Sequence, residues 1–139
     1  MRLRTLPLSL SGIILGSAVA HYYGFWEILI FVLALVTTVL FQILSNLAND
    51  LGDSVKGTDN AQRIGPKRAV QSGLISRKEM KTAVIIISFL SLLSAGSLIY
   101  IGVQGMPIQI IWFYIGLALL CIVAAITYTI GKRAYGYYG

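Results

Sequence analysis

Charge is absent from three long stretches of this chain, and that absence constrains the fold more than any motif does. Thr5–Trp26 carries no Asp, Glu, Lys or Arg for 22 residues, Ile28–Asn49 for another 22, and Thr82–Gly131 for 50. A hydrocarbon core about 30 Å thick is crossed by ~20 helical residues rising 1.5 Å each. The first two stretches each hold one crossing. The third holds two, with Gln104-Gly105-Met106-Pro107 as the turn between them. The expected fold is an all-α, polytopic integral membrane helical bundle, a single domain over 1–139 with four transmembrane helices at about 5–23, 26–49, 82–103 and 108–131.

Composition closes off other classes. Hydrophobic residues make up 57% of the chain and charged residues 12%, about half the ~25% charged share of a soluble domain. Too few charges remain to cover a water-facing surface, and the chain is too apolar to be disordered. Its one cysteine, Cys121, excludes an internal disulfide framework and a cysteine-based zinc site. The net charge of +6 points to an anionic partner. The basic residues cluster between membrane spans, not as a nucleic-acid binder needs, so the partner surface is membrane lipid and nucleic acid is excluded.

Those basic residues also set the orientation, because Lys and Arg accumulate on the cytoplasmic side. With four spans, the N-terminus, the 50–81 loop and the C-terminus share one side, and all eleven Lys and Arg fall there. The opposite side carries Glu27 and no Lys or Arg. The expected location is the cell inner membrane, multi-pass, with the N-terminus and an active-site loop at 50–81 cytoplasmic. A competing reading makes the first span a signal peptide, with Arg2 and Arg4 before an apolar run and Ala18-Val19-Ala20 as its cleavage site. Against it, Gly12, Gly16, Ala20 and Gly24 recur every four residues, a small-residue stripe suited to close helix packing.

The chemistry lies after the second span. Gln42, Asn46, Asn49, Asp50 and Asp53 are spaced by helical steps of three and four, so they form one polar stripe. Lipid cannot hydrogen-bond such a stripe, which must face the bundle interior. Asp50 and Asp53 then present two carboxylates one turn apart with amide oxygens beside them, a hard donor set suited to Mg²⁺ with waters and phosphate oxygens. Arg63, Lys67 and Arg68 follow around Gly65-Pro66. Carboxylates followed by guanidinium groups make a site for a diphosphate carried on Mg²⁺. Asn46, Asn49, Lys56, Asp59 and Lys67 surround it as candidate substrate-binding residues. Arg77, Lys78 and Lys81 are read instead as bases facing lipid headgroups.

Asn49-Asp50-x-x-Asp53-x-x-x-Gly57-x-Asp59, then Arg63-x-Gly65-Pro66-x-Arg68-Ala69-Val70-x-Ser72-Gly73, resembles the UbiA superfamily of intramembrane prenyltransferases. The wider superfamily often places its third aspartate four residues after the second. The six-residue step from Asp53 to Asp59 is similar to the branch acting on 1,4-dihydroxy-2-naphthoate in menaquinone synthesis. Arg4-Thr5-Leu6-Pro7 and Tyr135-Gly136-Tyr137 fit that branch as well. Members of the family usually have about twice as many residues, nine transmembrane helices and a second acidic motif. The chain is therefore expected to be about half of a nine-helix UbiA-type fold, its N-terminal part, with the other metal site and much of the prenyl tunnel outside it.

The resemblance implies a Mg²⁺-dependent aromatic prenyltransferase. Asp50 and Asp53 would hold the metal, and Arg63 and Arg68 the diphosphate of a polyprenyl diphosphate. The allylic C–O bond breaks, pyrophosphate leaves, and the electron-rich ring of the aromatic acceptor is prenylated. In the naphthoate branch the prenyl group replaces the ring carboxylate, which leaves as CO₂, giving demethylmenaquinol. Arg4 could pair with the acceptor carboxylate, and Tyr128 could line the acceptor pocket. His21, Tyr22, Tyr23 and Trp26 read as an aromatic interface belt, and Cys121 as packing. Three other readings stay open. One is a UbiA branch acting on 4-hydroxybenzoate. The second is a membrane transporter fragment, which would need acids inside a span. The third is a CDP-alcohol phosphotransferase, whose glycine and arginine spacing is not found here.

Overall fold

The computed structural model describes residues 6–56, 70, 72–131 and 134–137. Four helices follow one another: α1 (Leu6–Tyr22), α2 (Ile28–Lys56), α3 (Arg77–Gly102) and α4 (Ile108–Thr127), with a short 3₁₀ turn at Tyr135–Tyr137. α2, α3 and α4 are long and apolar enough to cross a membrane, and α1 is a shorter apolar helix of 17 residues. Large apolar side chains such as Leu15, Ile86, Phe89, Trp112, Phe113 and Leu120 lie exposed on the helices. Such a surface is not stable in water and needs hydrocarbon or further apolar protein against it. The chain is a multi-pass membrane protein.

Three helix boundaries differ from the sequence expectation by more than two residues. α2 does not stop at Asn49 but continues seven residues to Lys56, so Asp50 and Asp53 lie on a helix and not in a loop. Its 29 residues rise about 44 Å, so the final turns extend past an apolar layer about 30 Å thick. Hydropathy marks where lipid ends, not where the helix does. α3 likewise begins at Arg77, before the expected 82, because Ser76 caps it. Ser76 Oγ accepts from Glu79 N at 3.2 Å, and Ser76 N donates to the Glu79 carboxylate at 2.8 Å, a reciprocal capping box. The 50–81 loop is shorter at both ends than expected. α4 closes at Thr127, short of the expected 131. The turn between α3 and α4 falls where expected, with Gly105 at φ +79° and Pro107 as the N-cap of α4.

Packing is concentrated at one end. Leu44 and Leu51 of α2, Met80 and Val84 of α3 and Ile122 of α4 form the buried cluster, joined by half-buried Phe41, Leu47, Ile87, Ala125, Ile126 and Ile130. All lie toward the C-terminal ends of α2 and α4 and the N-terminal end of α3, where the acidic motif is. Farther along, Thr37 Oγ1 and Ser94 Oγ share a buried 2.7 Å hydrogen bond between α2 and α3. The expected small-residue stripe on α1 is not a packing seam among the described residues. A Cβ on Gly12 or Gly16 would meet nothing within 4 Å, and Gly24 lies past the helix at φ +82°. Cys121 is exposed and not packed within the bundle.

Candidate functional site

The polar stripe lies on the last four turns of α2. At about 100° per residue, Gln42, Asn46, Asn49, Asp50 and Asp53 fall within an arc of about 100°. α3 packs on a different side of α2, through Thr37 and Leu44, leaving the stripe to α1 and the end of α4. Gln42 Oε1 accepts a 2.6 Å hydrogen bond from Ser9 Oγ of α1. Asn49 Oδ1 accepts from Thr129 Oγ1 at 3.1 Å, and the same hydroxyl lies 3.0 Å from the carbonyl oxygen of Ala48. Asn46 is buried, and Asn49, Asp50 and Asp53 are half-buried. The stripe faces protein, as a polar surface inside a membrane protein must.

Residue 52 makes the α2–α4 contact possible. A Cβ on Gly52 would lie 2.5 Å from the Thr129 carbonyl oxygen and 2.6 Å from its Cβ, closer than van der Waals contact allows. Only glycine admits the backbone of residue 129 here. At the residue after Asp53, the helix end is tied to α3: Arg77 Nη2 donates at 2.6 Å to the carbonyl oxygen of Ser54. A cation on a last-turn carbonyl complements the negative end of the helix dipole. Arg77 therefore braces the acidic helix, a contact its reading as a headgroup-facing base did not anticipate.

Among the described residues one buried side-chain polar atom is left over: Asn46 is 7% exposed, and its Nδ2 finds no hydrogen-bond partner there. A buried amide donor without an acceptor costs about 1–3 kcal/mol, which an anionic or carbonyl oxygen arriving beside the stripe would recover. Tyr128 caps α4 next to Thr129 and is partly exposed. Its ring packs edge-on against Tyr135 at 5.2 Å, and its carbonyl accepts from Gly136 N at 2.8 Å. Lys56 is the exposed last residue of α2.

Arg4, Asp59, Arg63, Lys67 and Arg68 lie outside the described residues. Of the expected site, α2 thus aligns Asn46, Asn49, Asp50 and Asp53, with Tyr128 near Asn49 through its neighbour Thr129. Sequence reasoning missed Gly52, Arg77 and Thr129. Nothing in the spacing announces a contact across 80 residues. The donor set fits Mg²⁺: two carboxylates one turn apart with an amide beside them, leaving room for waters and phosphate oxygens. Among the described residues, no group of three or more His, Cys, Asp or Glu converges to cage a metal without such added ligands.

The chain is 48% identical over its full length to 1,4-dihydroxy-2-naphthoate octaprenyltransferase of Escherichia coli (strain K12), of which it covers 44%. It is 47% identical over 99% of its length to the enzyme of that name from Haemophilus influenzae, covering 45% of it. With that of Mycobacterium tuberculosis the identity is 33% over 99% of the chain, covering 44% of the relative. The chain thus spans less than half the length of these relatives. No solved structure matches it. The model of the UbiA prenyltransferase family matches residues 9–138, from the first turn of α1 through the segment after α4, and the chain belongs to that family.

Proposed function

We propose that this chain is part of an enzyme that transfers a polyprenyl group from an allylic diphosphate to 1,4-dihydroxy-2-naphthoate, releasing pyrophosphate and CO₂ and giving demethylmenaquinol. The observation that carries the reading is the alignment of Asp50 and Asp53 on successive turns of the protein-facing stripe of α2. The naphthoate enzymes at 48% and 47% identity support the acceptor.

In this reading Asp50 and Asp53 would hold Mg²⁺, and the ion would supply charge neutralisation to the departing diphosphate. Arg63 and Arg68 hold the same group from the connection between α2 and α3. Asn46 offers its unpartnered N–H to an oxygen of the bound substrate. Thr129 fixes Asn49 through its hydroxyl, so the amide beside the carboxylates is oriented before substrate arrives. The apolar walls keep water from the electron-deficient allyl group, and the membrane setting matches the water-insoluble polyprenyl tail. The site faces the cytoplasm, where all eleven bases fall if the four helices each cross once.

The test is prenyl transfer in membranes expressing the protein, supplied with a polyprenyl diphosphate, Mg²⁺ and carboxyl-labelled naphthoate or 4-hydroxybenzoate. Release of labelled CO₂ together with a prenylated naphthoquinol is the expected outcome. Preferential prenylation of 4-hydroxybenzoate with its carboxylate retained overturns the acceptor assignment.

A further inference from the structure

On the other side of α2 from the acids, the three long helices enclose a groove of about 680 Å³. Its walls are Leu51 and Val55 of α2, Val84 and Ile85 of α3, and Ile126 and Ile130 near the end of α4. Leu51 and Val55 are each two residues from Asp53, about 160° around the helix, so this groove is separate from the polar stripe. Arg77, Lys78 and Lys81 line it as well. An apolar trough with cations gathered in the first turns of one of its walls is an amphipathic site.

All three cations lie in the first two turns of α3, and Arg77 is already tied to the Ser54 carbonyl oxygen, which leaves Lys78 and Lys81 to face a ligand. Glu79, the acid on the same turn, is turned back onto the cap: its carboxylate accepts from both Ser76 N and Ser76 Oγ. Lys78 and Lys81 are exposed. A phosphate resting here would pair with the two lysines, while an acyl chain attached to it would cover Val55 and Ile85, which are 64% and 60% exposed.

We propose that this groove is a binding site for an anionic phospholipid, with its phosphate at Lys78 and Lys81 and an acyl chain along Val55, Ile85 and Ile126. The inference stands apart from the proposed prenyl transfer and needs none of the acidic residues. Charge complementarity selects the lipid class. The bound lipid also covers the seam where Arg77 joins α3 to the end of α2.

The chain's two tryptophans, Trp26 and Trp112, allow the site to be read by fluorescence. In a Trp26→Phe, Trp112→Phe background, Ile85→Trp places one indole in the groove. The protein is reconstituted in mixtures containing phosphatidylglycerol or phosphatidylcholine with brominated acyl chains, which quench an indole on contact. The expected result is half-maximal quenching by the anionic lipid at a mole fraction at least about five-fold lower than by the zwitterionic lipid. Each lysine near the surface contributes about five-fold, so Lys78→Gln with Lys81→Gln brings the two lipids close to parity. A Trp26→Phe protein that keeps only Trp112, at the far end of α4, shows no preference. Equal quenching by both lipids at position 85 overturns the site, as does a preference that survives loss of both lysines. Absence of quenching by either lipid means that protein fills the groove, and displacement of the anionic lipid by millimolar inorganic phosphate means a soluble anion is the ligand. Either result also overturns the proposal.

Discussion

Gly52 and Thr129 meet backbone to backbone, and their contact holds the acidic end of α2 against the end of α4. A Cβ at position 52 would stand 2.5 Å from the Thr129 carbonyl oxygen. That neighbour is main chain and cannot swing aside. Gly52→Ala should cost about 1–3 kcal/mol, the usual range for overpacking, and should part Thr129 from Asn49. Thermal unfolding in detergent measures the loss. Gly12→Ala, where the added methyl meets nothing within 4 Å, is the matched control and should be neutral or stabilising, because alanine is the better helix former. Equal midpoints for the two variants would remove the contact.

Asp50→Asn and Asp53→Asn should each abolish most prenyl transfer while leaving the fold intact, since both side chains are only half-buried on a helix. Losing one charged partner of a bound ion typically costs about 2–5 kcal/mol, roughly 30- to several-thousand-fold. Titration with Mg²⁺ and inorganic pyrophosphate should show the same loss without turnover. Near-normal activity in either variant would end the metal-binding role.

Arg77 should matter to the helix before it matters to any ligand. Arg77→Gln leaves the Ser54 carbonyl without its cation, a loss of about 0.5–1 kcal/mol at a partly exposed helix end. Amide exchange over residues 53–56 should quicken by about two- to five-fold. Arg77→Lys should restore part of the protection. Unchanged exchange in Arg77→Gln would show that α3 does not brace α2.

The helices were legible because lipid demands long uncharged runs, and these predicted the centres of α2, α3 and α4. The ends were not, because charge marks the edge of the apolar layer and not the edge of the helix. Asp50–Lys56 and Arg77–Lys81 carry charge and are helical all the same. The capping pair Ser76 and Glu79 was in plain view at capping-box spacing, yet the basic residues between and after them suggested a loop. The stripe from Gln42 to Asp53 was readable from periodicity alone. Its supports at Ser9, Gly52 and Thr129 were not, since each depends on which helix packs against which. A four-residue repeat of small residues on α1 suggested a seam that Gly12 and Gly16 do not form.

Lys78 gives the orientation a direct test. In a Cys121→Ser background, Lys78→Cys should react with a membrane-impermeant maleimide only after the cytoplasmic face is opened. A cysteine introduced at Tyr23, between α1 and α2, should react in intact cells. The reverse pattern would invert the bundle and move Asp50 and Asp53 to the outer face.

α1 contains no buried residue, and its polar tie to α2 is the bond from Ser9 to Gln42. The other three helices close around their own shared cluster without it. Among the described residues, then, detaching Leu6–Tyr22 would leave every member of that cluster in place, so α1 is the one helix whose departure the core would not register.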